Sequence, residues 1–292
     1  MLDLNNRPKT KILVDSGDPE ETERIKVLIG FVDGQTTNPT LIARNPGIAT
    51  LVKSGHRLSK AEEGQHYKKI VERISPLAGD AGVSIEVFAD SNTPAEQMFA
   101  EGKEKFSWIP NAYIKYPCTA EGLKAAKMSV EQGICVNITL CFSQQQAAAV
   151  YAVTLGTKEP VYVSPFVGRF DDHGKNGMDI VKNIIEMYRS GDGHVKVLAA
   201  SIRNLDHMLY SFNLGADLCT VPTKVLEEWA DKGFPMPDAN YIYQKPPRLE
   251  DIAYEQVALG QPWDSYDLHH ELTDAGIKKF VGDYNNTLRP NG

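Results

Sequence analysis

The 292-residue chain contains 42% hydrophobic and 24% charged residues and carries a formal net charge of −7 at pH 7. This composition is typical of a globular protein with a large apolar core, and it excludes disordered and collagen-like chains. The negative net charge argues against a nucleic-acid partner, because binding to a phosphate backbone needs a surplus of lysine and arginine on one surface.

The chain opens with MLDLNNRPKTKILVD, in which charges are scattered and the apolar core of a signal peptide is missing. No apolar run approaches the ~18 residues of a membrane-spanning helix. We therefore expect a cytoplasmic protein without a membrane partner. The cysteines lack CxxC spacing and a matching histidine cluster, so we expect no metal site and reduced, mostly buried thiols at Cys118, Cys135, Cys141 and Cys219.

Short apolar segments alternate with longer amphipathic ones along the chain. A strand over residues 11–14 is followed by a helix over residues 19–28, which Asp18 is placed to cap. Seven further strands are predicted over residues 30–32, 83–88, 112–115, 134–140, 161–165, 195–200 and 218–221. Between them, helices are predicted over stretches such as residues 120–131, 143–153, 178–189, 204–212 and 223–231.

Eight strands alternating with helices predict an α/β protein with a single (β/α)8 TIM barrel over residues 1–234. An open doubly wound sheet is the alternative, but DSGDPEE follows the first strand where a Gly-rich phosphate-binding turn would be expected. Residues 234–266 contain five prolines and little periodicity, which indicates a long irregular excursion of the chain after the barrel has closed.

A terminal helix is predicted over residues 272–284, with Thr273 as its N-cap. Residues 235–292 are therefore expected to form a C-terminal extension of the barrel domain. The terminal helix has an apolar face that fits its own barrel and a neighbouring subunit equally well, so a homo-oligomer remains one option.

Lys115 ends the fourth predicted strand, in NAYIKYPCT, where a barrel directs its amine into the mouth. A lysine whose amine is desolvated attacks a ketone to form a carbinolamine and then an imine, which draws electrons from a breaking carbon–carbon bond. Most lysines are simply exposed. The barrel context favours the catalytic interpretation.

Other polar residues fall at the ends of neighbouring strands. Asp15 and Glu86 are candidate acid/base groups, or structural partners of Lys115 or an arginine. Asn137 and Thr139 share one face of the fifth strand and are placed to hold a water and substrate hydroxyls, although threonine is also a good strand former.

Two arginines follow adjacent late strands, where barrel enzymes often bind a phosphate. Arg169 follows SPFVG and Arg203 follows ASI, each near a serine. Either arginine alone is more often solvated or salt-bridged, but the pair predicts a phosphorylated substrate.

The histidines show no metal-ligand spacing. His269 and His270 are adjacent and are predicted to point apart on a helix. Asp171, Asp172 and His173 are predicted to lie in an exposed loop.

Six sequence blocks, in consistent order over residues 12–223, resemble the successive motifs of the transaldolase family: VDSGDPEE, DGQTTNPTLI, YIKYPCTAEGLKAA, GICVNITLCFSQQQA, VSPFVGRFDD and AASIRN. The resemblance implies a class I aldolase-type barrel of the pentose phosphate pathway that needs no cofactor. In such an enzyme Lys115 forms a Schiff base with sedoheptulose 7-phosphate or fructose 6-phosphate. A dihydroxyacetone unit then passes to an aldose phosphate.

The resemblance also implies roles for individual residues. Asp15 becomes the acid/base for carbon–carbon cleavage, and Glu86 and Thr139 hold a water that carries protons. Contacts to the sugar hydroxyls and the imine come from Asn38, Asn137 and Ser164, and the phosphate clamp from Arg169, Ser201 and Arg203.

Two alternatives stay open. The related fructose 6-phosphate aldolases release dihydroxyacetone, and they usually have a tyrosine where this chain has Phe166 and lack the acid that Glu86 supplies. A phenol near the intermediate can position a proton or water for release, so Phe166 favours transfer. A barrel that has lost catalysis is the other alternative, but Asp15, Glu86, Lys115 and Thr139 are all present.

Overall fold

The apolar strand segments pair in chain order and close into a barrel in the computed structural model, which describes residues 2, 5, 7–238 and 240–289. Every strand runs parallel to its neighbours, and the eighth pairs with the first through Leu13 and Thr220. The strands are β1 (Lys11–Asp15), β2 (Gly34–Thr36), β3 (Gly82–Glu86), β4 (Ala112–Pro117), β5 (Val136–Cys141), β6 (Val161–Pro165), β7 (Val195–Ala199) and β8 (Leu218–Val221). The predicted (β/α)8 TIM barrel is confirmed.

Helices connect the strands on the outside of the barrel. They are α1 (Pro19–Ile29), α2 (Pro39–Arg44), α3 (Pro46–Lys53), α4 (Lys60–Ile74), α5 (Ala95–Phe106), α6 (Ala120–Val130), α7 (Gln144–Val153), α8 (Val167–Asp172), α9 (Gly177–Tyr188), α10 (Leu205–Leu214), α11 (Thr223–Asp231) and α12 (Glu271–Asn285). Polar caps set several of their starts: the Asp18 carboxylate accepts from Glu20 N–H, and Ser59 forms a capping box with Glu62. In the described part of the chain, no helix is long and apolar enough to cross a membrane.

The second strand lies elsewhere than predicted. Residues 30–32 were expected to form it, but Gly30 ends α1 in a left-handed conformation, with φ of 93°, and its N–H donates to Lys26 O. The strand is Gly34–Thr36 instead. The apolar run VLIGFV therefore completes a helix and enters the core, rather than forming a strand.

The other predicted elements overlap the observed ones, with ends displaced by at most two residues. The N-cap of α12 is a correction, because His270 rather than Thr273 occupies it, and His270 Nδ1 accepts from Leu272 N–H at 3.1 Å. Thr273 is buried and donates to Leu140 O at 3.0 Å. His269 and His270 thus precede the helix, where they were predicted to lie on it.

The excursion after α11 runs back along the outside of the barrel and carries α12 across its mouth. Asn176 N–H donates to Glu250 O at 2.7 Å, and the Gln144 side chain donates to Glu255 O at 2.8 Å. The α12 helix then packs against α2 and β5, where Gly276 lies against the side chain of Leu140. The terminal helix therefore packs on its own barrel.

Candidate active site

A cavity of about 490 Å³ opens at the C-terminal ends of the strands. It is lined by most of the residues that the sequence predicted for the site, coming from both halves of the chain: Asp15, Asn38, Lys115, Thr139, Ser164, Phe166, Arg169, Ser201 and Arg203. Glu86 and Asn137 are buried directly behind this lining. The barrel thus brings together side chains that are far apart in sequence, as expected for its catalytic face.

Lys115 and Glu86 form a buried pair. Lys115 Nζ lies 2.9 Å from Glu86 Oε2, and the two side chains are only 4% and 5% exposed. Lys115 Nζ also donates to Thr37 O at 3.0 Å. Burial raises the pKa of Glu86, and the neighbouring Lys115 partly lowers it. The amine is therefore held by an ion pair with Glu86 and a hydrogen bond to Thr37 O, in a largely dry environment, while it still lines the cavity.

Asp15 is the second acidic group of the cavity. It lies opposite Thr36 in the β1–β2 pairing, and the Thr36 hydroxyl donates to Asp15 Oδ1 at 2.7 Å. Burial raises the pKa of Asp15, while the Thr36 hydrogen bond and the charge of Lys115 lower it. A carboxyl with a raised pKa near a buried amine is suited to take up and return a proton.

A polar layer crosses the barrel beside Lys115. The Ser164 hydroxyl donates to Asn137 Oδ1 at 2.7 Å, and Asn137 Nδ2 donates to Ser84 Oγ at 3.0 Å. Thr139 is fully buried, and its hydroxyl has no hydrogen-bond partner among the residues that the structure describes. A buried hydroxyl without a partner is costly, so this hydroxyl is free to bind a water or a substrate group.

Arg169 and Arg203 both line the cavity. Arg203 Nη2 pairs with Asp172 Oδ2 at 2.8 Å, and Arg169 is carried by α8. A side chain at Gly168 would collide with Arg203, because an ideal Cβ there would lie 2.1 Å from Arg203 Nε. Glycine therefore lets α8, which carries Arg169, pack closely against Arg203.

The predicted exposed loop over Asp171, Asp172 and His173 is wrong for the two aspartates. Both belong to α8, and Asp171 is only 8% exposed. Asp171 Oδ2 lies 3.1 Å from His207 Nε2, and Asp171 Oδ1 accepts from Gly177 N–H at 3.0 Å. Burial alone would raise the pKa of Asp171, but the contacts with His207 and Gly177 lower it below the usual value.

Several lining residues were missed by the sequence analysis. They come from elements whose position at the mouth depends on tertiary packing, namely Arg44, Lys224, Lys279 and Phe280. Proximity to a strand end could have suggested Lys224, which follows β8 closely. Nothing in the local sequence marks the α12 residues as part of the site.

The cysteines are free, and three of the four are buried. Among the residues that the structure describes, no group of three His, Cys, Asp or Glu side chains is arranged to hold a metal ion.

Comparison with known proteins gives a consistent result. Residues 12–290 match the family model described as transaldolase/fructose-6-phosphate aldolase. The chain is 36% identical over 276 residues to a probable transaldolase of Bacteroides thetaiotaomicron, covering 94% of this chain and 97% of the relative. It is 39% identical, with the same coverage, to a probable transaldolase of Moorella thermoacetica.

Proposed function

The chain belongs to the transaldolase/fructose-6-phosphate aldolase family, and we propose that it transfers a dihydroxyacetone unit from a ketose phosphate to an aldose phosphate. The donor is sedoheptulose 7-phosphate or fructose 6-phosphate. The observation that carries this proposal is the buried Lys115 amine, held between the Glu86 carboxylate and the Thr37 carbonyl and facing the cavity.

In the proposed reaction, neutral Lys115 Nζ attacks the C2 carbonyl of the ketose phosphate and forms a carbinolamine. Loss of water gives a protonated imine at Lys115. The Glu86 carboxyl and the unpartnered Thr139 hydroxyl hold a water that carries the protons for this dehydration. The positive charge of the imine then makes C2 an acceptor for the electrons of the C3–C4 bond.

The Asp15 carboxylate takes the proton of the C4 hydroxyl as the C3–C4 bond breaks, and an aldose phosphate leaves. The three-carbon unit stays bound to Lys115 as an enamine. A second aldose phosphate enters, the enamine carbon attacks its aldehyde, and Asp15 returns the proton to the new hydroxyl. Hydrolysis of the imine releases the product ketose phosphate and restores the amine.

Substrate positioning is assigned to the rest of the cavity. Asn38, Asn137 and Ser164 are proposed to contact the sugar hydroxyls and the imine region. Arg169, Ser201 and Arg203 are proposed to bind the phosphate, because paired guanidinium groups form charge-assisted hydrogen bonds with phosphate oxygens.

The decisive experiment is chemical trapping. The protein is incubated with fructose 6-phosphate, reduced with borohydride and digested for mass spectrometry. A reduced dihydroxyacetone adduct is expected on Lys115, whereas Lys105, which is also buried but lies outside the cavity, serves as an internal control. A folded protein that gives no adduct on Lys115 would contradict the proposal.

The same family includes aldolases, so release of free dihydroxyacetone is the second candidate. Phe166 lines the cavity and packs against Phe142, with ring centroids 5.8 Å apart, which leaves no hydroxyl at this position to aid release. We expect little dihydroxyacetone from fructose 6-phosphate without an acceptor, and more from Phe166→Tyr. Rapid release by the unmodified enzyme without an acceptor would favour the aldolase.

A further inference from the structure

Tyr67 lies behind the active site and does not line its cavity. It belongs to α4 and is only 2% exposed. Its ring packs edge-on against Trp108, with centroids 5.8 Å apart, and Lys105 Nζ lies 4.8 Å from the centre of the same ring. These contacts fix the ring, so the hydroxyl has a defined position at the edge of the barrel.

The Tyr67 hydroxyl replaces a missing strand partner. On the β2 side of β3, Ser84 O accepts from Thr37 N–H at 3.1 Å, but β2 ends at Thr36 and the chain enters α2 at Pro39. Glu86 N–H faces this gap and donates to the Tyr67 hydroxyl at 3.0 Å instead. A buried N–H needs a partner, and here a side chain supplies it.

The same hydroxyl also reaches the second residue that holds the amine. It lies 2.5 Å from Thr37 Oγ1, and because the Thr37 hydroxyl donates to Ser84 O at 2.7 Å, the hydrogen between them comes from Tyr67. Burial raises the pKa of Tyr67 well above its usual value, so the hydroxyl keeps this proton.

These contacts form a closed ring that includes the amine. Lys115 Nζ contacts the Glu86 carboxylate and the Thr37 carbonyl, and the Tyr67 hydroxyl joins the Glu86 N–H to the Thr37 hydroxyl. Lys105 Nζ donates to Glu86 O, in the next peptide group, at 2.7 Å. The two residues that contact Lys115 Nζ are thereby joined to each other through the Tyr67 hydroxyl, which lies outside the cavity.

We propose that Tyr67 is a positioning residue for imine formation, which holds Glu86 and Thr37 at the distances from which they orient Lys115. The inference rests on the proposed function, because the group that is positioned is the proposed nucleophile. A displacement of about 1 Å at a reacting group can cost on the order of 10²-fold in rate, so loss of this connection affects chemistry more than substrate binding.

The test is Tyr67→Phe, which keeps the ring and its contacts and removes the hydroxyl. We expect kcat, and the single-turnover rate at which the Lys115 adduct is trapped, to fall at least about tenfold. The KM for the ketose phosphate should change by less than about twofold, because the phosphate-binding arginines are not touched. The control is Tyr188→Phe, which also loses a buried hydroxyl, one that donates to Ala147 O at 2.7 Å between outer helices.

A double variant separates positioning from general loss of stability. If Tyr67 acts in part through Glu86, the loss in Tyr67→Phe combined with Glu86→Gln is smaller than the product of the two separate losses. Tyr67→Phe and Tyr188→Phe with equal trapping rates and equal kcat would overturn the inference while the Lys115 adduct still forms. Absence of the Lys115 adduct from the unmodified protein would instead overturn the proposed function.

Discussion

Replacement of Lys115 by methionine removes the proposed nucleophile and also leaves a buried carboxyl without its nearest cation. The pair is 4% and 5% exposed and 2.9 Å apart. Removing one partner of a buried ion pair costs about 3–5 kcal/mol. At about 2 °C per kcal/mol for a chain of this size, the melting temperature of Lys115→Met should fall by roughly 6–10 °C at pH 8.

The loss should depend on pH in a direction fixed by Glu86. Burial raises the pKa of Glu86 in the folded protein, and Lys115 lowers it, so the substitution raises this pKa further. A carboxyl whose pKa is higher in the folded than in the unfolded state binds more protons when folded. Stability therefore falls as the pH rises above the unfolded value of about 4.3. The deficit should be small near pH 4.5 and largest at pH 8.

Thermal unfolding followed by circular dichroism checks this at both pH values, with Lys115→Met combined with Glu86→Gln as the matched control. The second substitution removes the buried charge, so most of the lost stability should return at pH 8, while no borohydride-trapped adduct forms. Equal stability of Lys115→Met and the unmodified protein at both pH values would refute the assigned pairing. Retained transfer activity in Lys115→Met would refute the assigned nucleophile.

Two further predictions concern phosphate binding and helix packing. Arg169→Ala should raise the KM for fructose 6-phosphate by about 10- to 100-fold, because one charge-assisted hydrogen bond is lost. Arg189→Ala, on the surface, should leave the KM unchanged. Equal KM values for the two variants in a steady-state assay would exclude Arg169 from phosphate binding. Gly122→Ala should lower the melting temperature, because an ideal Cβ would lie 2.0 Å from Pro117 O, whereas Gly282→Ala meets no atom within 4 Å and should stabilise α12 by about 1 kcal/mol. Calorimetry that shows the same change for both glycines would contradict this packing argument.

The sequence predicted strands best where a mostly apolar segment has a clear boundary. Residues 161–165 and 218–221 were placed without error, because Pro160 precedes the first segment and Pro222 follows the second. The second strand was misplaced because it is short and polar, Gly34–Thr36, whereas the apolar run before it ends a helix. Local hydrophobicity therefore placed the second strand on the wrong residues.

The sequence predicted those residues of the candidate site that lie at or near the C-terminal end of a strand. Asp15 ends β1 and Lys115 lies in the second half of β4, and parallel strands deliver their C-terminal ends to one face. Lys279 and Phe280 reach the cavity only because α12 crosses the mouth, and the pairing of Asp171 with His207 joins segments that no local pattern connects. The assignment of residues 235–292 to the same domain as the barrel stays a prediction, which limited proteolysis would test.

The position of α12 bears on how the protein is made. The barrel can close once β8 has left the ribosome, since β8 pairs with β1, but the helix that covers the mouth is encoded near the end of the chain. At translation rates of about 5–20 residues per second, a nascent barrel waits a few seconds or longer for this helix. During that interval the Leu140 carbonyl has no Thr273 hydroxyl to bind, and the apolar side chain of Leu140 has no helix packed over it. A newly synthesised barrel therefore keeps this apolar surface open to aggregation and to chaperones until α12 docks.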